Sequence, residues 1–262
     1  MYRSKLTLGV VIVAGLAAAQ LASAEGPSAP SAVAAQGGLA VTPAILETTA
    51  RRNATGSATV TNSTGRKLRV TVRARPWRQS SSGAVAANRR RSLGNVSVSS
   101  TRFTMAAGAT RNLSVRLSRV PSRRSQYGAL EIVGKPVKRR RGINVAYRLI
   151  SSLRFNPTAG ARRFRLSAGS ALVTGRGSNR TLALRVRNRG NTVDPVGGSV
   201  SISGPGGGRS GSIAATRILP GKRINLRLIS LSGLRRGRYS ASVTLTQSGR
   251  NRVSATRSFR IR

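Results

Sequence analysis

Histidine and cysteine are absent from this 262-residue chain, and Asp and Glu together number four. Each absence removes a class of chemistry. General acid–base catalysis needs a group that titrates near neutral pH, usually His or a tuned carboxylate. A Ser-His-Asp triad is impossible here. A metal site wants His, Cys or clustered carboxylates. The acids are Glu25, Glu47, Glu131 and Asp194. A carboxylate pair for sugar cleavage would have to come from the last three. Two of those fall in strand-like runs and one in a turn. A Ser–Lys dyad is the one formal opening, since five Lys remain. No G-x-x-x-x-G-K-[ST] loop is present, and the glycine-rich GPGGGRSG at 204–211 has no helix after it, so it reads as a hairpin loop. The expectation is a protein that is not an enzyme and has neither cofactor nor small-molecule substrate. Without cysteine there are no disulfides, and each domain must bury its own core. A secreted eukaryotic protein of this size more often carries disulfides, so the sequence points to bacterial export.

Long apolar runs are also scarce. One stands at the N-terminus: Leu6 to Ala19 is uncharged, follows Arg3 and Lys5, and precedes Ala22-Ser23-Ala24. A basic start, an apolar centre and a small-x-small site describe a secretory signal peptide over 1–24. The run is shorter than the roughly 20 residues of a spanning helix. Nothing later is apolar enough to cross a membrane. Cleavage would leave Glu25 first, followed by an unpatterned leader over 25–38, and the product is expected outside the cytoplasm, at the cell envelope.

What the chain has in excess is arginine. Lys and Arg number 47, for a net charge of +43. Abundant Arg, Ala and Gly fit a GC-rich genome, but codon usage does not explain the scarcity of acids. So basic a chain is drawn to polyanions by long-range electrostatics, whatever its role. Envelope polymers are the nearest for an exported protein, and nucleic acid is the runner-up. The densest runs are Lys138, Arg139, Arg140 and Arg141, and Arg89, Arg90 and Arg91; these are the candidate polyanion contacts. Most other arginines have a plainer reading. In LRVTVRA, Leu68, Val70 and Val72 would face a core while Arg69, Thr71 and Arg73 face solvent.

That two-residue period recurs in SATVTN, NVSVSS, NLSVRLSRV, GALEIVG and INVAYRL, separated by Gly, Asn, Ser and Pro. Alternation of this kind marks antiparallel strands with one wet face. No window after the N-terminal run shows helical spacing. About seven strands precede Asn156-Pro157 and about seven follow, as in β-sandwiches. The halves are also similar to each other. VTNSTGRK aligns with VRNRGNTV, placing Asn62 with Asn188. AAGATRNLSVRL aligns with LPGKRINLRLI, placing Gly108 with Gly221. SQYGALEI aligns with GRYSASVTL, placing Tyr127 with Tyr239. Each Tyr opens a penultimate strand, where sandwich domains often keep a Tyr whose hydroxyl bonds back to the chain. The few aromatics are spread singly over strands and read as core.

Three segments resemble PapD-like immunoglobulin domains: VTPAILETTARRNATGSATVTNSTGRKLRVTVRARPW; FTMAAGATRNLSVRL, with Ala107 where Pro is usual; and YGALEIVGKP with INVAYRLISSLRFNP. The resemblance covers 39–157. Residues 165–262, with N-x-G-N, I-L-P-G and L-x-x-G-x-Y, resemble the immunoglobulin-like domain that follows in Gram-positive surface proteins. The tandem order is similar to WxL-interacting surface proteins, whose first domain is associated with peptidoglycan binding. Those proteins usually end in a membrane helix and a basic tail, whereas this sequence ends at SFRIR. Pilus chaperones of the PapD-like type use an apolar row on a last strand, which here would be Ile143, Val145 and Tyr147. They also clasp a subunit carboxylate with two basic residues, and the matching positions, near Ala44 or Ile45 and at Ser152, are not basic.

The fold expected is all-β: two tandem immunoglobulin-like antiparallel sandwiches over 39–157 and 165–262, joined by a linker over 158–164. The first functional reading is a non-enzymatic scaffold at the cell envelope that binds a cell-wall polymer or another exported or surface protein. The alternative is a chaperone that holds an exported subunit by strand addition. Non-specific polyanion binding is the third.

Overall fold

A computed structural model describes residues 37–138, 144–250 and 252–262. The expected signal peptide over 1–24, most of the expected leader, Arg139 to Arg141 and Ile143 lie outside the described residues. Ten strands form the first sandwich: β1 (Leu39–Thr42), β2 (Ile45–Thr49), β3 (Ala54–Asn62), β4 (Leu68–Gln79), β5 (Val85–Ala87), β6 (Val96–Val98), β7 (Arg102–Met105), β8 (Thr110–Leu117), β9 (Gln126–Pro136) and β10 (Tyr147–Asn156). Seven form the second: β11 (Leu166–Thr174), β12 (Thr181–Asn188), β13 (Pro195–Ser203), β14 (Arg209–Arg217), β15 (Arg223–Ser230), β16 (Gly237–Gln247) and β17 (Arg252–Ile261). The only helical pieces among the described residues are two three-residue 3₁₀ turns, Ala159–Ala161 and Gly177–Asn179. No helix among them is long and apolar enough to cross a membrane.

In the first sandwich, β1-β3-β8-β6 packs against β2-β10-β9-β4-β5, with β7 also on β4. In the second, β11-β12-β15 faces β14-β13-β16-β17. Alternation builds each core. Leu68, Val70 and Val72 of β4 are fully buried, while Arg69 and Arg73 on the strand's other face are exposed. They meet Leu130 and Ile132 of β9 and Leu153 and Phe155 of β10 in one apolar cluster. Burying each such side chain contributes about 1.5–3 kcal/mol. The second sandwich has its own cluster, centred on Leu182, Leu184, Ile202, Ile224 and Leu245.

The count of about seven strands in the first half is corrected to ten. β6 falls in the expected run NVSVSS, whereas β5 lies in a stretch that reads as loop and β7 lies just beyond that run, in a stretch not counted as a strand. The N-terminal strand is also two, β1 on β3 and β2 on β10. Pro43 stands at the break, where its lack of an N–H suits a change of sheet. The β2–β10 pairing is parallel, whereas every other pairing among the described residues is antiparallel.

The internal repeat appears as repeated hydrogen bonding. Asn62 ends β3, and its main-chain oxygen accepts from Gly108 N at 2.8 Å. Asn188 ends β12, and its main-chain oxygen accepts from Gly221 N at 2.7 Å. Both glycines have positive φ, 74° and 77°, a conformation that favours glycine at these two turns.

Candidate interaction edge

The edge in question is the outer side of β10. On its inner side β10 pairs along its length with β9, from Tyr147 opposite Gly134 to Phe155 opposite Gln126. On its outer side β2 covers Ser152 to Asn156 alone. Among the described residues, no strand pairs with the outer side of Tyr147 to Ser151. The direction of the main-chain groups follows from one bond: Ser152 N donates outward to Ala44 O at 2.8 Å. Alternate residues of a strand point their N–H and C=O the same way. Arg148 and Ile150 therefore present theirs to the uncovered edge.

The side chains here are unusual for an exposed edge. Edge strands are normally protected by charge, Pro or a covering element. Ile150 is 38% exposed, and Val145, just before the strand, is 50% exposed. Tyr147, the first residue of β10, is half-buried against the first core. Of the predicted apolar row, the structure thus places Val145 in the open and turns Tyr147 inward; Ile143 lies outside the described residues. Ile150 is the residue the sequence reading passed over. Its signal was Leu149-Ile150, two adjacent apolar residues in a strand, one of which must face outward.

The positions matching the family's basic clasp do come together. Ser152 stands in register with Ile45, and Ser151 Oγ donates to Pro43 O at 2.8 Å. Neither position is charged. The nearest ion pair along these strands is Arg154 with Glu47, at 3.6 Å. Beside it, Asn156 Nδ2 donates to Glu47 Oε1.

The described residues of the basic runs sit on loops, and Arg139, Arg140 and Arg141 lie outside them. Lys138 is exposed just beyond β9. Arg89, Arg90 and Arg91 are exposed in the connection between β5 and β6. Two of these three have structural ties to a cluster that sequence reasoning missed. Glu131, on the outer face of β9, receives Arg75 Nε at 3.0 Å and Arg148 Nη2 at 2.6 Å, with Arg89 Nε at 3.8 Å. Arg75 Nη1 also donates to Arg91 O at 3.1 Å. Both Arg75 and Glu131 are 6% exposed. The acid is thus enclosed by cations rather than free for chemistry.

The two sandwiches meet through neutral groups. Gln79 Nε2 donates to Arg217 O at 2.8 Å, and Leu219 N donates to Gln79 Oε1 at 2.9 Å. Tyr127 Oη lies 3.0 Å from Asn156 Oδ1 and 3.1 Å from Asn191 O, with one hydrogen to donate between them. Burial, with a further contribution from the Asp194 carboxylate, pushes the Tyr127 phenol well above its ordinary range.

No protein-family model matches the chain, and no curated protein is similar to it in sequence. Solved structures are similar in fold. A class 5 fimbriae chaperone, CfaA, superposes with a TM-score of 0.52 at 10% identity, covering 84% of this chain and 98% of that one. A chaperone–tip adhesin complex of CFA/I fimbriae biogenesis gives 0.51 at 11% identity, with the same coverage. Two immunoglobulin-like sandwiches in a PapD-like architecture are therefore the fold of this chain.

Proposed function

We propose that this protein is an exported chaperone-like protein that holds a second exported protein by strand addition at β10. The observation that carries the reading is the uncovered edge of Tyr147 to Ser151, where β2 stops at Ser152. An extended segment laid there would gain main-chain hydrogen bonds from Arg148 and Ile150, the usual source of affinity in strand addition. Exposed Val145 and Ile150 would supply apolar contact. The fold likeness supports it too: both similar structures are named as fimbrial chaperones or their complexes, one of them with a tip adhesin. The partner is then another exported protein, met outside the cytoplasm after the signal peptide has acted. The wall-binding scaffold, which the sequence put first, has no comparable observation behind it.

Ile150→Pro tests the proposal. Proline removes the outward N–H of residue 150 and leaves the ladder to β9 intact, as edge positions tolerate. Co-export with a fimbrial-type subunit, followed by co-purification, should show capture lost in Ile150→Pro and in Val145→Asp, with unchanged circular dichroism. In the unsubstituted complex, the amides of Arg148 and Ile150 should be protected from hydrogen exchange. Full capture by a folded Ile150→Pro variant would overturn the reading.

A further inference from the structure

Apart from the edge, the outer face of the same sheet carries an open recess of about 720 Å³. Arg69 and Arg73 of β4, Arg102 of β7 and Lys135 of β9 line it, with Val133 and Val137. The placement of charge is unfavourable for the fold alone. Arg69 stands directly opposite Lys135, and Arg102 sits opposite Thr71, between Arg69 and Arg73. Like charges facing each other across a sheet destabilise it. The only acid on these three strands is Glu131, already taken up by Arg75 and Arg148. None of the four recess cations forms an ion pair among the described residues.

Arginines elsewhere on the strands are the wet half of an alternating pattern. Here four cations converge in a concavity, and such concavities focus a field more strongly than a flat surface does. Guanidinium forks suit carboxylates, which they bind in bidentate geometry. The wall is apolar at Val133, Val137 and Ala146, which suits the carbon stems of acidic side chains better than a bare inorganic polyanion. Ala146 also immediately precedes the open edge of β10. The recess and the start of that edge thus adjoin at residues 146 and 147.

We propose that this recess binds an acidic segment of the polypeptide held on β10; the identity of that polypeptide rests on the strand-addition reading. The test uses the full exported chain and a fluorescent hexaglutamate peptide, read by anisotropy. The recess variant is R69S/R73S/R102S/K135S. The control, R51S/R227S/R238S/R252S, removes the same charge from scattered exposed positions. Hexaglutamate binding is expected to weaken at least tenfold more in the recess variant than in the control. Equal weakening would overturn the proposal. So would tighter binding of a six-phosphate polyphosphate that is lost with the same four residues, since this would assign the recess to phosphate. The recess variant should melt no lower than the parent, because the Arg69–Lys135 repulsion is gone. Should it not fold, R102S/K135S carries the same comparison against R51S/R252S. Ile150→Pro should leave hexaglutamate binding unchanged while abolishing subunit capture, so failure of one reading is distinguishable from failure of the other.

Discussion

Asn62 and Asn188 hold the same station in the two sandwiches. Each is fully buried, and each donates its carboxamide to the carbonyl four residues ahead, Arg66 at 2.9 Å and Thr192 at 2.8 Å. Each also donates across to the strand-side turn, to Ala106 O at 2.7 Å and Ile218 O at 2.7 Å. The carboxamide oxygens accept from the tight turn that follows, from Thr64 N and from Gly190 N. One side chain thus satisfies a buried turn in each sandwich, where unpaired polar groups are costly.

Asn62→Ala and Asn188→Ala should each destabilise by about 1–3 kcal/mol, because each leaves buried carbonyls without a donor. Urea unfolding followed by circular dichroism checks this. The two sites share no partner, so the double variant should equal the sum within about 0.5 kcal/mol. Loss of less than about half a kcal/mol at either site would mean that water replaces the carboxamide there.

The repeat was legible because it is local. V-x-N followed by a small-residue turn, and a Gly with its strand, are short patterns with fixed hydrogen bonds. The core faces were legible for the same reason, since period-two alternation fixed Leu68, Val70 and Val72 without any knowledge of partners. Tyr239 behaves as the sequence suggested, donating to Arg235 O four residues upstream at 2.9 Å. Tyr127 does not, for its hydroxyl reaches Asn156 and Asn191 instead. Nothing near Tyr127 in sequence announces a contact 64 residues away. Arg75 was illegible in another way. It continues the wet side of β4 in phase with Arg69 and Arg73, yet the loop carrying Arg89 to Arg91 covers it. The open edge of β10 depends on where β2 starts to pair, which no strand pattern states.

Tyr127→Phe should reveal a pH dependence. Burial, reinforced by Asp194, raises the folded phenol above the ordinary value near 10. The unfolded chain then loses this proton first, so stability is intact below about pH 10 and falls as pH rises from there through the folded value. The phenylalanine variant lacks that loss. The stability difference between parent and variant should therefore shrink from about pH 9 to about pH 11. Urea midpoints at the two pH values check it, and a difference independent of pH would contradict the sign.

Gln79→Ala should loosen the contact between the sandwiches. Its side chain accepts from Leu219 N and donates to Arg217 O, while Ser81 O in the same turn accepts from Asn225 N at 2.6 Å. Loss of the carboxamide removes these two bonds and a third, from Gln79 Nε2 to Gly83 O at 3.0 Å, at a cost of about 1–3 kcal/mol, with much of that appearing as local opening. Hydrogen exchange should speed up at the Leu219 amide, and less at Asn225, whose acceptor is main chain. The core amides of β9 and β16 should be unaffected. Faster exchange throughout the second sandwich would show that Gln79 supports its global stability instead.

Glu131→Gln should be the most costly single change on the outer face. The carboxylate receives two close guanidinium groups, and its side chain is 7% exposed. Arg148, at 35% side-chain exposure, can turn to water, but Arg75, at 8%, cannot without opening the loop above it. An uncompensated buried cation of this kind costs about 3–5 kcal/mol. Glu47→Gln is the matched control: its side chain is 52% exposed beside Arg154, and exposed pairs contribute about 1 kcal/mol at most. Replacing both buried partners, Arg75→Met with Glu131→Leu, should cost less than Glu131→Gln alone, because no buried charge is then left unpaired. The loop should respond as well. Arg75 holds Arg91 O, and Leu93 N donates to Ala74 O at 3.0 Å, so amides from Arg91 to Leu93 should exchange faster in Glu131→Gln. If Glu131→Gln melts like the parent, the cations around it are solvated and the cluster does not organise this face.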